Sequence, residues 1–357
     1  MARPRGPVAT FAIATLLPLP LLAASAFWGG GWVLFTCLYL TLFTYLLDEL
    51  IGYASEDAPR GVEFPAADWL SLFLGAIHLP VLALGVASIS GATGLSGAER
   101  FGCLFAFGIY AGQVLFSNAH ELIHRPGKLP FRLGTLVYSS ALYGHHVTAH
   151  RFIHHRFVGS EQDPNTARFG EGFWKFAIRA WMDAFRSGLK VEAARRRKTR
   201  LGALAHPYIK YEAIALTTLA LVYILWDLPG IAAYLALALY ASIQMLLADY
   251  VQHYGLERAV LPNGRLEPIG PQHSWNAPHP VSAALMLNAP RHSDHHTDAS
   301  KPFPALELPD ESEAPILPAS LPAMSTLALF PPLWRRVMDA RARAWRSPGE
   351  DTLMAAE

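Results

Sequence analysis

Six long apolar runs, at about 8–28, 31–47, 67–90, 101–118, 211–228 and 230–250, constrain this chain more than any other feature. Each approaches the roughly 20 residues that an α-helix needs to cross the hydrocarbon core of a bilayer. Within lipid every backbone polar group must be paired inside the segment, so runs of this length are read as helices. The expected fold class is all-α, an integral membrane bundle of six transmembrane helices. Only 16% of the residues are charged against 52% hydrophobic, which agrees with a membrane protein. The first run follows a short basic start, MARPR, but it is long and further spans follow at once, so it reads as a retained helix rather than a cleaved leader. A single domain over residues 1–357 is expected.

Lysine and arginine gather at the N-terminus (Arg3, Arg5) and after the fourth run, including RRRKTR at 195–200, while the short loops near 29 and 229 carry none. The positive-inside rule then puts both termini in the cytoplasm, together with residues 119–210 and 251–357. The expectation is a multi-pass protein of the inner (cytoplasmic) membrane. A net charge of +1 provides no global basic field, so nucleic acid is not expected as a partner. Cys37 and Cys103 both lie in apolar runs, which leaves neither a disulfide framework nor a four-cysteine metal site. The proline-rich part after 300 reads as irregular. A short amphipathic helix is expected around PLWRRVMDARARAW, with Trp334 and Arg335 suited to a membrane interface.

The histidines carry the chemistry. His120 and His124 fall in HELIHR; His150, His154 and His155 in HRFIHH; His253 in DYVQHYG, straight after the sixth run; and His292, His295 and His296 in HSDHH. Residues i and i+4 share a helix face, so imidazoles at that spacing reach one metal. HExxH alone also matches the zinc protease motif. Four clusters emerging on one membrane face point instead to a shared metal centre, a histidine-rich cytosolic cap on the bundle. A structural zinc saturates at four ligands, so nine imidazoles imply two ions with open positions. Imidazole suits iron, copper, zinc and nickel alike. Glu121, Asp163 and Asp294 are placed to orient ring N–H groups. His78, inside the third run, reads as a packed, hydrogen-bonded residue rather than a ligand.

These residues resemble the membrane-bound alkane monooxygenase family, which includes xylene monooxygenase and is related to the integral-membrane fatty acid desaturases. The matching stretches are LLDELIG (46–52), NAHELIHR (118–125), YGHHVTAHRFIHH (143–155), DYVQHYGL (249–256), HSWN (273–276), PRHSDHH (290–296) and PPLWRRVMD (331–339). The resemblance implies a non-haem di-iron centre that uses dioxygen and two electrons to hydroxylate a terminal methyl group of a medium-chain alkane. It carries the iron ligands onto His120, His124, His150, His154, His155, His253, His292, His295 and His296, with His273 joining Glu121, Asp163 and Asp294 as supporting residues. It also implies a separate electron donor, a rubredoxin or ferredoxin with its NAD(P)H-dependent reductase, since this chain has no CxxC pair. Three stretches depart from the family pattern: Ala149 and Gln252 stand where glutamate is usual, and Ala289–Pro290 precede RHSDHH. None of these removes a ligand. They leave alkylaromatic (xylene-like) methyl hydroxylation as an alternative, beside a fatty-acyl desaturase or hydroxylase. A metal transporter would place its ligands near the bilayer midplane, whereas these lie at and beyond the helix ends. A hydrocarbon substrate has no polar handle, so an apolar cavity is expected, lined by spans such as 67–90 and 101–118.

Overall fold

A computed structural model describes residues 8–52, 57–58, 62–197 and 205–346. Arg3, Arg5, Lys198 and Arg200 of the topology argument lie outside the described residues. The helices, in chain order, are α1 Ala9–Trp28, α2 Gly31–Ile51, α3 Pro65–Ser90, α4 Gly97–His124, α5 Lys128–Ser140, α6 (residues 146–157), α7 Phe173–Arg197, α8 Pro207–His253, α9 Pro280–Leu285, α10 His292–Thr297, α11 Leu321–Ala328 and α12 Pro331–Trp345. The described residues form no sheet, only the isolated bridges Val260–Leu266 and Asn276–Ile316.

Five of these helices, α1 to α4 and α8, are long and apolar enough to cross a membrane. The expected fifth and sixth spans fall within α8, a single 47-residue run. That run is not straight. Asp227 sits at φ 53°, ψ −152°, two residues before Pro229, whose ring removes a backbone donor. Tyr211 packs against Gly144, and the Tyr234 hydroxyl donates to the Ser140 carbonyl at 2.7 Å. A straight helix would hold Tyr211 and Tyr234 about 34 Å apart. Ser140 and Gly144 are four residues apart, so α8 doubles back at Asp227 into two arms.

Local chemistry sets the helix ends. Pro65 opens α3, and Gly91, at φ 95°, closes it in the left-handed conformation. Ser96 and Glu99 form a capping box at the start of α4. α4 and α8 approach closely because α4 offers glycines. The Tyr240 ring occupies the space a Cβ on Gly108 would take, and a Cβ on Gly112 would lie 2.6 Å from Gln244. α5 packs against α3 and α4, and its last residue, Ser140, meets the buried His78 with a 2.8 Å hydrogen bond to Nε2. On α12, Trp334, Met338 and Ala342 form the buried face. Trp334 packs tilted against Tyr250 and edge-on against Tyr254, with centroids at 5.2 and 5.3 Å, so it is a core residue rather than the interfacial one expected.

Candidate metal centre

All nine candidate histidines converge, in two groups. The first holds His120, His124, His150, His155 and His295; the second holds His154, His253, His292 and His296; within each group the ligand atoms lie within 4.8 Å of one another. His150 Nε2 lies 2.6 Å from His120 Nε2 and 2.9 Å from His155 Nε2. His292 Nε2 lies 3.0 Å from both His253 Nε2 and His296 Nε2. Neighbouring ligands on an octahedral ion with bonds of about 2.1 Å sit about 3 Å apart, so these spacings suit nitrogens sharing a cation. Among the described residues, the buried Nε2 atoms of His124 and His154 have no hydrogen-bond partner, as expected of ligand atoms. The residues therefore fit two metal ions. The groups are adjacent, with the His155 and His296 rings 4.7 Å apart.

Local helix geometry decides which histidine joins which group. His120 and His124, one α-turn apart on α4, share the first group, and His292 and His296 on α10 share the second. α6 behaves differently. Residues His150–His154 form a π-helical turn, closed by i→i+5 hydrogen bonds. The wider turn brings His150 and His155 onto one side and sends His154 to the other group, so the expected i,i+4 pairing of His150 with His154 does not occur. His145 and His146, just upstream, are buried against Trp181 and His150 and join neither group.

Burial first, and then the neighbouring imidazoles, hold His150, His155, His292, His295 and His296 well below the ordinary histidine range. They are neutral at physiological pH, the form that binds metal. Burial also pulls His154 down, but the Asp163 carboxylate, 2.8 Å from its Nδ1, outweighs that and leaves the ring above its usual value. Burial pushes Asp163 up in turn. The His154 charge and the hydrogen bonds from His154, Thr166 and the Asn165 amide outweigh it and hold the carboxyl low. The Asn165 side chain donates to Asp249 Oδ2 at 2.5 Å, so a continuous buried chain runs from Asp249 through Asn165 and Asp163 to His154.

Of the expected supporting residues, Asp163 alone reaches a candidate ligand with its side chain. Asp294 accepts from Lys301 Nζ and the Glu307 amide, and Glu121 faces Arg125 and the Phe303 amide. These nearer cationic and backbone partners take the lone pairs that a histidine N–H would need. His273 pairs with Glu267 at 2.9 Å, and only its backbone carbonyl approaches His253 Nδ1, at 3.5 Å.

Two positioning residues escaped the sequence reading. Asp249 had a signal, since it stands four residues before His253 on the same helix face. Asn276 lay in HSWN, which marked it without its role. Its side chain accepts from the Ser293 amide at 3.0 Å and donates to Ser293 Oγ at 2.7 Å, which fixes the start of α10. Beside it, the Trp275 amide donates to the Gln252 carbonyl, and its indole N–H to that of Tyr254. These bonds satisfy the orphan carbonyls at the end of α8. One short stretch thus ties His253 to His292. Asn276→Ala strands buried groups at about 1–3 kcal/mol each and lets α10 shift. Metal affinity is expected to fall about 10–100-fold, measured by competition with a chelator; unchanged affinity would remove Asn276 from this role.

A cavity of about 840 Å³ reaches the centre, with both His120 and His292 in its wall. That volume lies in the range of cavities that bury small ligands. Leu40, Leu42, Phe105, Ile109, Tyr240 and Met286 supply apolar wall. Of the two spans expected to line it, α4 does so and α3 does not; α2, α8 and α11 supply most of the rest, with Trp174 of α7 and the Met286–His292 segment. Two π-helical turns, Tyr39–Phe43 in α2 and Ala111–Leu115 in α4, contribute to the wall, together with the unbranched backbone of Gly112.

A family model for fatty acid desaturases matches residues 100–328. The chain is 29% identical over 342 residues to alkane 1-monooxygenase 2 of Alcanivorax borkumensis, covering 92% of this chain and 88% of that one. It is 30% identical to alkane 1-monooxygenase 2 of Pseudomonas aeruginosa, covering 84% of this chain and 81% of the relative. It is also 30% identical to the xylene/toluene monooxygenase hydroxylase component of Pseudomonas putida, over 71% of this chain and 69% of that protein. A helical membrane protein with two histidine groups that could hold metal, this chain belongs to the fatty acid desaturase family and, within it, to the membrane-bound alkane and xylene monooxygenases; it is a membrane monooxygenase.

Proposed function

We propose that His120, His124, His150, His155 and His295 hold one iron ion, that His154, His253, His292 and His296 hold a second, and that the chain hydroxylates a terminal methyl group of a medium-chain alkane. The observation that carries this reading is the mainly apolar cavity whose wall includes one histidine of each group. When bound, the two ions supply dioxygen activation, in which RH, O2, two electrons and two protons give ROH and water.

The chain's own residues do the rest. Apolar burial contributes about 0.8 kcal/mol per methylene to holding a substrate without polar groups. Confinement between α2, α4 and α8 orients one end toward His120 and His292 and keeps water away from the reacting carbon. Asp249 puts a carboxyl at the cavity wall, where a proton can be held.

The electrons come from a separate rubredoxin or ferredoxin with its NAD(P)H-dependent reductase. His124 and His155 are the two members of the nine that are not fully buried; Lys128 and Arg132 stand exposed at the start of α5, which follows His124, and Arg156 stands exposed beside His155 on α6. A basic rim of this kind attracts an acidic redox protein. The same reading places the chain in the inner membrane as one domain. The two arms of α8 bring the crossings to six, α5 re-enters between α3 and α4, and the histidines face the cytoplasm.

One observation favours a second substrate class. Two of the departures from the family pattern meet on the cavity wall, where Gln252 Nε2 donates to the Ala289 carbonyl at 2.9 Å. An altered wall next to His253 suits an alkylaromatic methyl group. Membranes containing the protein, a rubredoxin or ferredoxin with reductase, and NADH under labelled dioxygen, offered octane, dodecane and xylene together, separate the readings. Labelled primary alcohol is the expected product. Labelled methylbenzyl alcohol would transfer the assignment to the xylene class. With iron and a competent donor verified, an unsaturated or hydroxylated acyl lipid in place of either would overturn both.

A further inference from the structure

The sequence of α7 holds two apolar stripes, not one. At about 100° per residue, Phe173, Phe176, Ala177, Ala180, Ala184 and Gly188 make the face packed into the protein. Next to it runs a second stripe, Trp174, Ile178, Met182 and Leu189, which are 51, 72, 38 and 41% exposed. Lys175, Asp183, Arg186 and Lys190 occupy the remaining arc. A helix facing water carries polar residues wherever it is exposed. This one exposes apolar residues beside its cations.

The placement of α7 supplies the second argument. The Phe176 ring lies 5.3 Å from that of Tyr250, in the last turn of α8, and the Tyr208 hydroxyl, at the start of α8, donates to the Phe185 carbonyl at 3.0 Å. α7 therefore lies across the ends of both arms of α8, at the level where the apolar runs stop. Its outer stripe is continuous with exposed apolar surface on either side. The Trp174 indole N–H donates to the Leu329 carbonyl beside exposed Phe330 and Leu333, and Ile209 is exposed next to Tyr208.

We propose that α7 lies in the plane of the membrane, with Trp174, Ile178, Met182 and Leu189 in the acyl boundary of an anionic lipid leaflet and Lys175, Arg186 and Lys190 at its headgroups. α7 carries seven cationic side chains against two acidic ones, Asp183 and Glu192. Asp183 pairs with Arg186 at 3.6 Å and Glu192 with Arg195 at 3.3 Å, leaving a cationic excess that attracts anionic lipid. A second copy of the chain fits less well. It would set the same cations against themselves, and a stripe of four side chains falls short of the roughly 800 Å² per partner of a stable interface. Amphipathic helices with basic flanks and an apolar face that includes tryptophan are the form that settles at this depth.

Nitroxide labels on single cysteines at Ile178, Met182, Arg186 and Lys190, in a Cys37→Ala background, test this in the full chain reconstituted in phosphatidylcholine–phosphatidylglycerol vesicles. All four positions are exposed, so the buried face of α7 is untouched. Labels at 178 and 182 are expected to collide more with oxygen than with a water-soluble nickel chelate, and labels at 186 and 190 the reverse. Nickel accessibility at 178 and 182 equal to that at 190 would overturn the proposal. Shielding of 178 and 182 from both reagents, with spin–spin broadening at high protein-to-lipid ratio, would overturn it in favour of a second copy. With phosphatidylcholine alone, the label at 182 is expected to sit shallower; an unchanged depth would refute the anionic component.

Discussion

His292→Ala, on the proposed two-iron reading, is expected to leave a membrane-inserted protein that holds one iron ion in place of two and has lost turnover. His292 Nε2 is the meeting point of the second group, 3.0 Å from both His253 and His296, and the side chain also stands in the cavity wall. Three imidazoles remain after the change, and the shared point between them is gone. The loss in product formation should exceed the roughly 100-fold upper end seen when only a supporting residue of a metal site is removed. Insertion should persist, because α10 lies outside the five long apolar helices. Iron content per chain, measured beside product formation, checks both halves. Two ions with full activity would remove His292 from the ligand set, while an aggregated protein would show that the residue is needed for folding instead.

The second large effect is expected for Asp163→Asn. The carboxylate fixes His154 through Nδ1 and leaves Nε2 to face the second group. Asparagine keeps the size and loses the charge, so ring orientation and ligand basicity both suffer. Metal affinity of the second group should fall about 10–100-fold, with the first group unaffected; chelator competition should then show one of the two sites weakened relative to the parent and the other unchanged. The chelated, metal-free protein adds a pH signature. Asp163 has a lowered folded pKa, so its contribution is present above the ordinary value of 3.8 and is lost as pH falls through the lowered one. His154 has a raised folded pKa, so its contribution is present below the ordinary 6.5 and is lost as pH rises through the raised one. The stability gap between parent and variant should therefore be widest between those two ordinary values, at about 3–5 kcal/mol for a buried pair deprived of one partner. A gap that does not vary with pH would refute the ion pair.

The structure also shows where reading by spacing succeeds. Apolar runs of spanning length and histidines at i,i+4 are local signals. They marked the five long apolar helices, with the last two expected runs joined in α8, and helix periodicity puts His120 over His124 and His292 over His296; it does not by itself gather the other five imidazoles. The carboxylates were harder. Glu121, Asp163 and Asp294 look alike beside their histidines, yet Lys301 and Arg125 claim two of them from elsewhere in space. HSWN marked Asn276 without its role, because its partner Ser293 belongs to another segment.

Hydrophobic length and imidazole density act over a single span or a single turn, so an all-helical membrane protein with histidine clusters able to hold metal was legible in the residues alone. How the histidines divide into two groups follows from the folded chain. The π-helical turn at His150–His154 departs from the 3.6-residue period that spacing arguments assume, so His150 joins His155 while His154 crosses to the other group. Likewise the reversal at Asp227, and a cavity walled by α2 in place of α3, depend on how helices pack. Packing is a contest between distant surfaces, and an apolar side chain facing lipid has the same chemistry as one facing a cavity.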